Sequence, residues 1–492
     1  MRKRLEAAKS DRRRRIGRPA VALLLAAAAC AVNPATGERE LSLVSEAQEI
    51  EIGRESDPAI TAQMGGLYPD SALQQYIRGV GLRLAASSER PNLPWSYKLL
   101  DDDLVNAFAL PGGFVYITRG ILGNMNSEAE VAAVLGHETG HVTARHSASQ
   151  ITRVQLAQLG LGIGSIFSST IRDYGGAAAT GLQLLFLKYG RDDERQADEL
   201  GFRYMTRIHY DPHGMSEVMR MLQSTTPAGG SGVPNWLSSH PDPGDRVQSN
   251  EQRIAASGTD YSSFDTKRDA FLQHLDGLVF GEDPRAGYFI GVRFLQPTLT
   301  FEITFPAGWA TQNGADAVQA LAPSRDGAMQ LSFAQASSPA EAASKLTSVE
   351  GLAVLQSRTE TINGLNATLT DFDLTTQDGV LRGTIAYIAH NSAVYEIVGY
   401  APQAKWATHS NVASAAIHSF ARLTDRTYLD VSPNRIQIVR LPRAMTFADF
   451  AQQYPSTVSL DEVRLANQVS QTESLAAGRP MKRIAGGRVP TR

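Results

Sequence analysis

Between Val134 and Ser147 the chain reads VLGHETGHVTARHS, with His137 and His141 four residues apart and Glu138 directly after the first of them. On an α-helix a residue four positions on lies about 40° round the axis and about 6 Å along it. Both imidazoles then point the same way and can reach one ion. Zinc takes imidazole nitrogen at about 2.0–2.1 Å, so the spacing supplies two ligands without backbone strain. The Glu138 carboxylate is placed to take a proton from a water that the metal activates, which is general-base chemistry for hydrolysis. The competing reading is plain. Histidines on a helix face are often solvated, or hydrogen-bonded in a core, and a five-residue pattern also arises by chance. A third ligand has to decide.

A metzincin would carry Gly three residues and His six residues beyond the second histidine. Ala144 and Ser147 stand there, and His146 falls one residue short. The other arrangement takes a Glu from a following helix, and ERQADELG supplies Glu194 with Asp198 one turn later. Glu194 would complete a metal set with His137 and His141, and Asp198 would hold the far nitrogen of a ligand histidine and fix its tautomer. Taken alone, Glu194 reads more readily as part of a solvated helix face, since Arg191, Asp192, Asp193 and Arg195 surround it.

The elements that must position these residues are legible in outline. Ser127 and Glu130 have capping-box spacing and start the helix that carries the histidine pair. Upstream, the Pro111-Gly112-Gly113 turn feeds the alternating run FVYIT, a strand. Residues 40–60 and 71–89 read as amphipathic helices, WSYKLLDDD as a strand, and the chain near Glu194 as a second site-bearing helix. SSHPDPGDRV around His240 reads as loop, and GLVFGEDPRAGYF as a linker. From about Leu299 alternating strands take over (TFEITFPAGW, AMQLSFAQA, ATLTDFDLTT, AVYEIVGYA), closed by a helical ATHSNVASAAIHSFARL. The segment from Ile436 to Ile484 reads as strand–helix–helix–strand. At 492 residues the chain is too long for one core.

The N-terminus has the layout of an export signal: Arg12 to Arg15, then the apolar AVALLLAAAA ending at Cys30. Cys30 is the only cysteine. It resembles the acylated cysteine of a bacterial lipobox, although Ala27 stands where Leu is usual, and an ordinary Ala-x-Ala cleavage site is the alternative. Ala31 rather than Asp after it implies the outer membrane. The mature body has no cysteine to pair, so no disulfide framework is available. A net charge of -3 gives no reason to expect nucleic acid as partner. No later apolar stretch reaches the length of a membrane helix. Val154 to Phe167 comes nearest, but its Gln and Gly residues suit core packing or a flap beside the site.

NAFALPGG, GHETGHVTARH, RDDERQADELG and SHPDPGDR, in that order, resemble the motif set of the CAAX-prenyl-endopeptidase and HtpX-like zinc metallopeptidases. The likeness runs from about Leu41 to Asn250. NPATGERELSLVSEAQEIEIGRE, just after Cys30, resembles the exported lipoprotein branch, which lacks the membrane helices of the integral members. One departure is Gly190, where the family often has Ser. The resemblance implies a mainly α-helical gluzincin domain with a short β-sheet, one zinc ion per chain, and a His-Pro loop near the metal. His240 then has two open roles: capping the zinc so that water is excluded, or donating to an oxyanion. Residues 299–423 resemble a PsbP-like α+β domain through ITFPAGW, the INGLNA turn and the closing SF helix. Residues 435–485 look like a LysM-type βααβ module through TFADFAQQYP, VRLANQ and LAAGRPMKRI, which implies contact with peptidoglycan.

The chain therefore divides into a signal peptide (1–29), a zinc metallopeptidase domain (30–265), a linker (266–298), a PsbP-like domain (299–423) and a LysM-like module with its tail (424–492). The expected function is a zinc endopeptidase of the bacterial cell envelope, cleaving unfolded or misassembled envelope proteins. It would face the periplasm from the outer membrane, held by lipid at Cys30, or else be soluble in the periplasm. Glu138 would be the base, and the strand after NAFALPGG, with Asn106, Gly112 and Gly113, would offer its edge to an extended peptide. The alternative is a non-proteolytic assembly factor or cell-wall-binding scaffold. Every chemical residue lies before Asn250, so removing the chain beyond Leu423 is expected to leave small-peptide hydrolysis nearly intact.

Overall fold

The computed structural model describes residues 30–161, 189–224, 236, 240 and 243–490. The segment read as a signal peptide, and the part of Val154–Phe167 beyond Leu161, lie outside them. A short hairpin of β1 (Cys30–Val32) and β2 (Arg39–Leu41) precedes α1 (Glu46–Gln63). The helix read over 40–60 thus starts later, because Ser45 and Gln48 close a reciprocal capping box there. α2 (Ser71–Ser87) is capped by the Asp70 side chain. β3 (Ser96–Leu100), β4 (Ala107–Leu110) and β5 (Phe114–Thr118) form a three-stranded sheet in the order β3–β5–β4.

That order corrects one expectation. β5, the strand after NAFALPGG, lies in the middle, parallel to β3 and antiparallel to β4, so it has no free edge. Gly112 and Gly113 form the turn between β4 and β5 with φ of 81° and 102°. A side chain on Gly112 would collide with the Ile50 backbone at 2.5 Å. Asn106 pairs through its backbone with Thr118. β3 and β4 are the outer strands, and β4 packs on the next long helix.

α3 (Arg119–Asn124) leads through an elbow into α4 (Glu128–Thr143), which Ser127 caps. Every residue of α4 is buried, as befits a helix enclosed on all sides. α5 (His146–Leu161), α6 (Arg191–Arg207), α7 (His213–Ser224), α8 (Pro243–Ser257) and α9 (Arg268–His274) complete the helical body. Of the stretch expected to be loop around His240, the part from Pro243 is helical and begins α8; proline suits that first helical position because its missing N–H has no partner to lose. The expected linker is also largely structured. α9, β6 (Tyr288–Ile290) and β7 (Arg293–Gln296) lie in it, and Tyr288, Phe294 and Leu295 are buried.

β6, β7, β8 (Phe301–Thr304) and a two-residue strand at Ala421–Arg422 form one sheet. A larger antiparallel sheet runs β12–β13–β14–β15–β11–β10–β9. In chain order its strands are β9 (Ala310–Asn313), β10 (Val318–Leu321), β11 (Ala328–Phe333), β12 (Leu352–Ile362), β13 (Leu365–Thr376), β14 (Gly379–His390) and β15 (Ala393–Pro402). α10 (Pro339–Lys345) and α11 (Trp406–His418) pack on it. The last unit pairs Arg435–Arg440 with Pro480–Ala485 around α12 (Phe447–Gln453) and α13 (Leu460–Asn467).

Two large cores emerge. One gathers side chains from Phe294 to Phe420. The other runs from Tyr68 to Val279 and then resumes at Ile436, ending at Ile484. Among the described residues no helix is long and apolar enough to cross a membrane.

Candidate metal centre

α6 crosses α4 with almost nothing between the two backbones. A methyl group on Gly201 would stand 2.9 Å from the His137 amide nitrogen, and one on Gly140 would stand 2.9 Å from the Ala197 carbonyl oxygen. Glycine at both positions permits the approach. The crossing carries Glu194, in the first turn of α6, against both histidines of α4.

The nitrogens His137 Nε2 and His141 Nε2 are 3.0 Å apart. Glu194 Oε2 lies 3.6 Å from the first and Glu194 Oε1 lies 3.5 Å from the second. Ligands about 2.0–2.1 Å from a tetrahedral ion are about 3.3–3.4 Å apart, so the three groups mark out one face of such a site. His240 Nδ1 stands 2.9 Å from Glu194 Oε1 and 3.3 Å from His137 Nε2, at the fourth corner. All four ligand atoms fall within 4.8 Å of one another, and all four residues are buried. The donor set is the nitrogen-and-carboxylate mixture that suits a borderline divalent metal.

Glu138 sits beside this group. Burial pushes its carboxyl up to about 7, near the range in which a group can both take and return a proton. Its two oxygens are buried without a well-formed hydrogen bond, although the Trp236 indole acts on it. The nearest histidine nitrogen, His240 Nε2, is 3.6 Å from Glu138 Oε1.

A second layer fixes the histidines. Asp198 Oδ1 is 2.9 Å from His137 Nδ1. Arg246 grips Asp198 at both oxygens, Nε to Oδ2 at 2.8 Å and Nη2 to Oδ1 at 2.6 Å, and puts Nη1 2.9 Å from Glu194 Oε2. Burial, reinforced by Arg246, pulls His137 down to about 3 and keeps it neutral. Burial works the other way on Glu194 and Asp198, but the Arg246 guanidinium and the neighbouring histidine rings outweigh it. His240 and Arg246 hold Glu194 well below the usual carboxylate range, and Arg246 with His137 does the same for Asp198. On the far side, His141 Nδ1 is 2.9 Å from His146 Nδ1, and His146 Nε2 is 2.8 Å from Gln196 Oε1. If His141 donates to His146 and His146 donates to Gln196, the Nε2 lone pair of His141 is left facing the cluster. Tyr189 stacks on His141 at 3.9 Å and Trp236 on His240 at 4.7 Å.

The structure thus brings together His137, Glu138, His141, Glu194, Asp198 and His240, and leaves Asn106, Gly112 and Gly113 in the neighbouring sheet. Reading the sequence assigned no role to Arg246, Gln196, Tyr189 or Trp236, and weighed His146 only as a ligand. Arg246 had a signal, since it ends the SHPDPGDR motif. Trp236 had none.

Residues 71–254 match the family model described as Peptidase family M48. The chain is 31% identical over 193 residues to the beta-barrel assembly-enhancing protease of Yersinia pestis, which covers 37% of this chain and 39% of that protein. It is 33% identical over 160 residues to the mitochondrial metalloendopeptidase OMA1 of Arabidopsis thaliana, covering 32% and 31% respectively. The match therefore spans less than half the length of either relative. Over the site-bearing region the chain is similar to metallopeptidases. A solution structure of cyanobacterial PsbP (CyanoP) from Synechocystis sp. PCC 6803 covers 28% of this chain and 95% of its own at 12% identity, with a TM-score of 0.23, which establishes no common fold.

Proposed function

We propose that this chain is a zinc-dependent endopeptidase of the bacterial cell envelope that cleaves unfolded or misassembled envelope proteins. The observation that carries the reading is the convergence of His137, His141, Glu194 and His240 beside the buried carboxylate of Glu138. Zinc bound there would polarise the scissile carbonyl and acidify a water molecule. Glu138 takes that water's proton on a carboxylate oxygen and returns it to the leaving amine nitrogen. His137, His141 and Glu194 hold the metal, with Asp198 and Arg246 fixing the ring of His137. β4, the outer strand beside α4, is the edge along which an extended peptide adds. Backbone pairing of that kind ignores most side chains and suits unfolded substrates. Proteomics of envelope fractions, comparing wild type with Glu138→Gln, tests the reading. Envelope proteins that accumulate only in the variant support it, and identical profiles overturn it.

His240 is the restraint on this site. Its Nδ1 sits where a fourth ligand belongs, and its backbone N–H is bonded to the Trp236 carbonyl at 2.8 Å. The Trp236 backbone N–H in turn reaches the Val105 carbonyl just before β4. His240 therefore covers the metal face, and Trp236 the start of the peptide edge. His240→Ala is expected to raise hydrolysis of an unfolded protein substrate and to bring self-cleavage. A fall by the roughly 10²–10³ typical of a lost oxyanion donor would instead make His240 a catalytic donor.

The lipid anchor at Cys30 and a peptidoglycan contact by the C-terminal unit belong to this proposal on resemblance alone. Cys30→Ser should release the chain from membranes or stall its processing. An unmodified, soluble mature N-terminus in wild type would remove the anchor from the account.

A further inference from the structure

The chain leaves the peptidase body and returns to it at the same place. Gly277 N–H donates to the Ile436 carbonyl and Ile436 N–H to that of Leu278, both at 2.8 Å, while Phe280 N–H reaches Asn434 at 2.9 Å. Outgoing and incoming chains thus pair antiparallel around Val279 and Arg435. Everything between them builds the separate sheet-rich core. Beyond Asn434 the chain goes back into the first core, where Ile436, Phe450, Val463, Met481 and Ile484 are buried with the side chains of the helical body.

The polar contacts are more telling. Lys482 is completely buried. Its ammonium donates to the carbonyls of Gly123 at 2.8 Å, Ala466 at 3.0 Å and Met125. Three donors meet three acceptors, two of them where α3 ends and turns toward α4. Gln468 Nε2 donates to the Asn124 carbonyl at 2.9 Å and to Glu130 Oε2 at 2.6 Å. The other oxygen of Glu130 accepts from the Asn126 N–H at 3.0 Å and the Ser127 hydroxyl at 3.2 Å, and Ser127 caps α4. Glu130 lies two turns before His137 on that helix. A buried ammonium is costly to desolvate unless its donors are satisfied, and here two of its three acceptors lie just ahead of the helix that carries His137 and His141. A module that merely swings on a tether would have no use for such a contact.

We propose that residues 434–485 are a part of the peptidase body that positions α4, with Lys482 and Gln468 as the positioning residues, and that the sheet-rich unit is an insertion between its two halves. The inference rests on the peptidase reading for its kinetic consequence alone. The expectation that the chain beyond Leu423 is dispensable for hydrolysis is replaced by its opposite.

Two measurements on the full chain test it. Lys482→Met is expected to lower kcat by about 10- to 100-fold, the scale of a small misplacement of catalytic groups, with KM little changed and zinc released more readily to a competing chelator. Leu460→Ser, an exposed site on the same unit, should change none of these. Separately, a cleavable sequence inserted between Leu423 and Thr424 should allow the chain to be cut without the C-terminal fragment leaving. Co-elution of the two pieces in gel filtration supports the proposal and needs no enzymatic activity. If the fragment separates under native conditions while hydrolysis and zinc content of the remainder stay at wild-type values, the unit is a tethered module and the proposal fails. Absence of hydrolysis in the uncut wild type would count against the peptidase reading and leave the co-elution result standing.

Discussion

Replacing Glu138 by Gln is expected to leave zinc bound and to lower peptide hydrolysis by about 10²- to 10⁴-fold, the range supplied by a positioned general base. The amide keeps the shape of the carboxylate and cannot take a proton. Glu138 is fully buried next to the ligand cluster yet is not one of the four groups whose ligand atoms converge. Its oxygens are engaged by no strong partner, so little of the surrounding structure depends on its charge. Zinc content by mass spectrometry and hydrolysis of casein, measured on the same preparation, separate the two effects. Unchanged hydrolysis in Glu138→Gln would remove it as the base.

Glu194→Ala should do the reverse and strip the metal. Glu194 gives one oxygen toward each ligand histidine and a contact to His240 and Arg246. Second-layer changes typically cost about 10- to 100-fold in metal affinity, and loss of a direct ligand is expected to exceed that. Hydrolysis then falls because the metal is gone, and a large excess of zinc should recover part of it. Excess zinc should recover nothing in Glu138→Gln. Equal zinc loss in the two variants would sink the division of roles between neighbouring carboxylates.

The site was readable in the sequence wherever its geometry is local. Four-residue spacing puts His137 and His141 on one face of a helix, and the same spacing puts Asp198 one turn after Glu194. Arg246 eluded that logic because its partners, Asp198 and His137, are 48 and 109 residues away. His146 was one residue out of place as a ligand, and only the turn after α4 shows that its ring comes back against His141. The strand order of the small sheet was misjudged for a related reason. Alternation in FVYIT identifies a strand but does not say that β3 pairs with it in parallel and takes its second edge. In the C-terminal unit the strand–helix–helix–strand order was plain. Its docking was not, since a lone Lys482 in a short strand gives no hint that burial awaits it.

The backbone contact of α4 with α6 has a consequence for stability. His137 and His141 stand on one helix and Glu194 on the other, so an ion held between them would be a cross-link. Ligand binding to the folded state alone raises the free energy of unfolding in proportion to the logarithm of free metal over its dissociation constant. That increment falls on the separation of these two helices, because neither carries a complete site. Gly140 and Gly201 let the helices touch, but they contribute no side chain to hold them together. A metal bound there would then tie together two helices that already pack closely, and opening of this helix pair would become the event that free metal concentration controls.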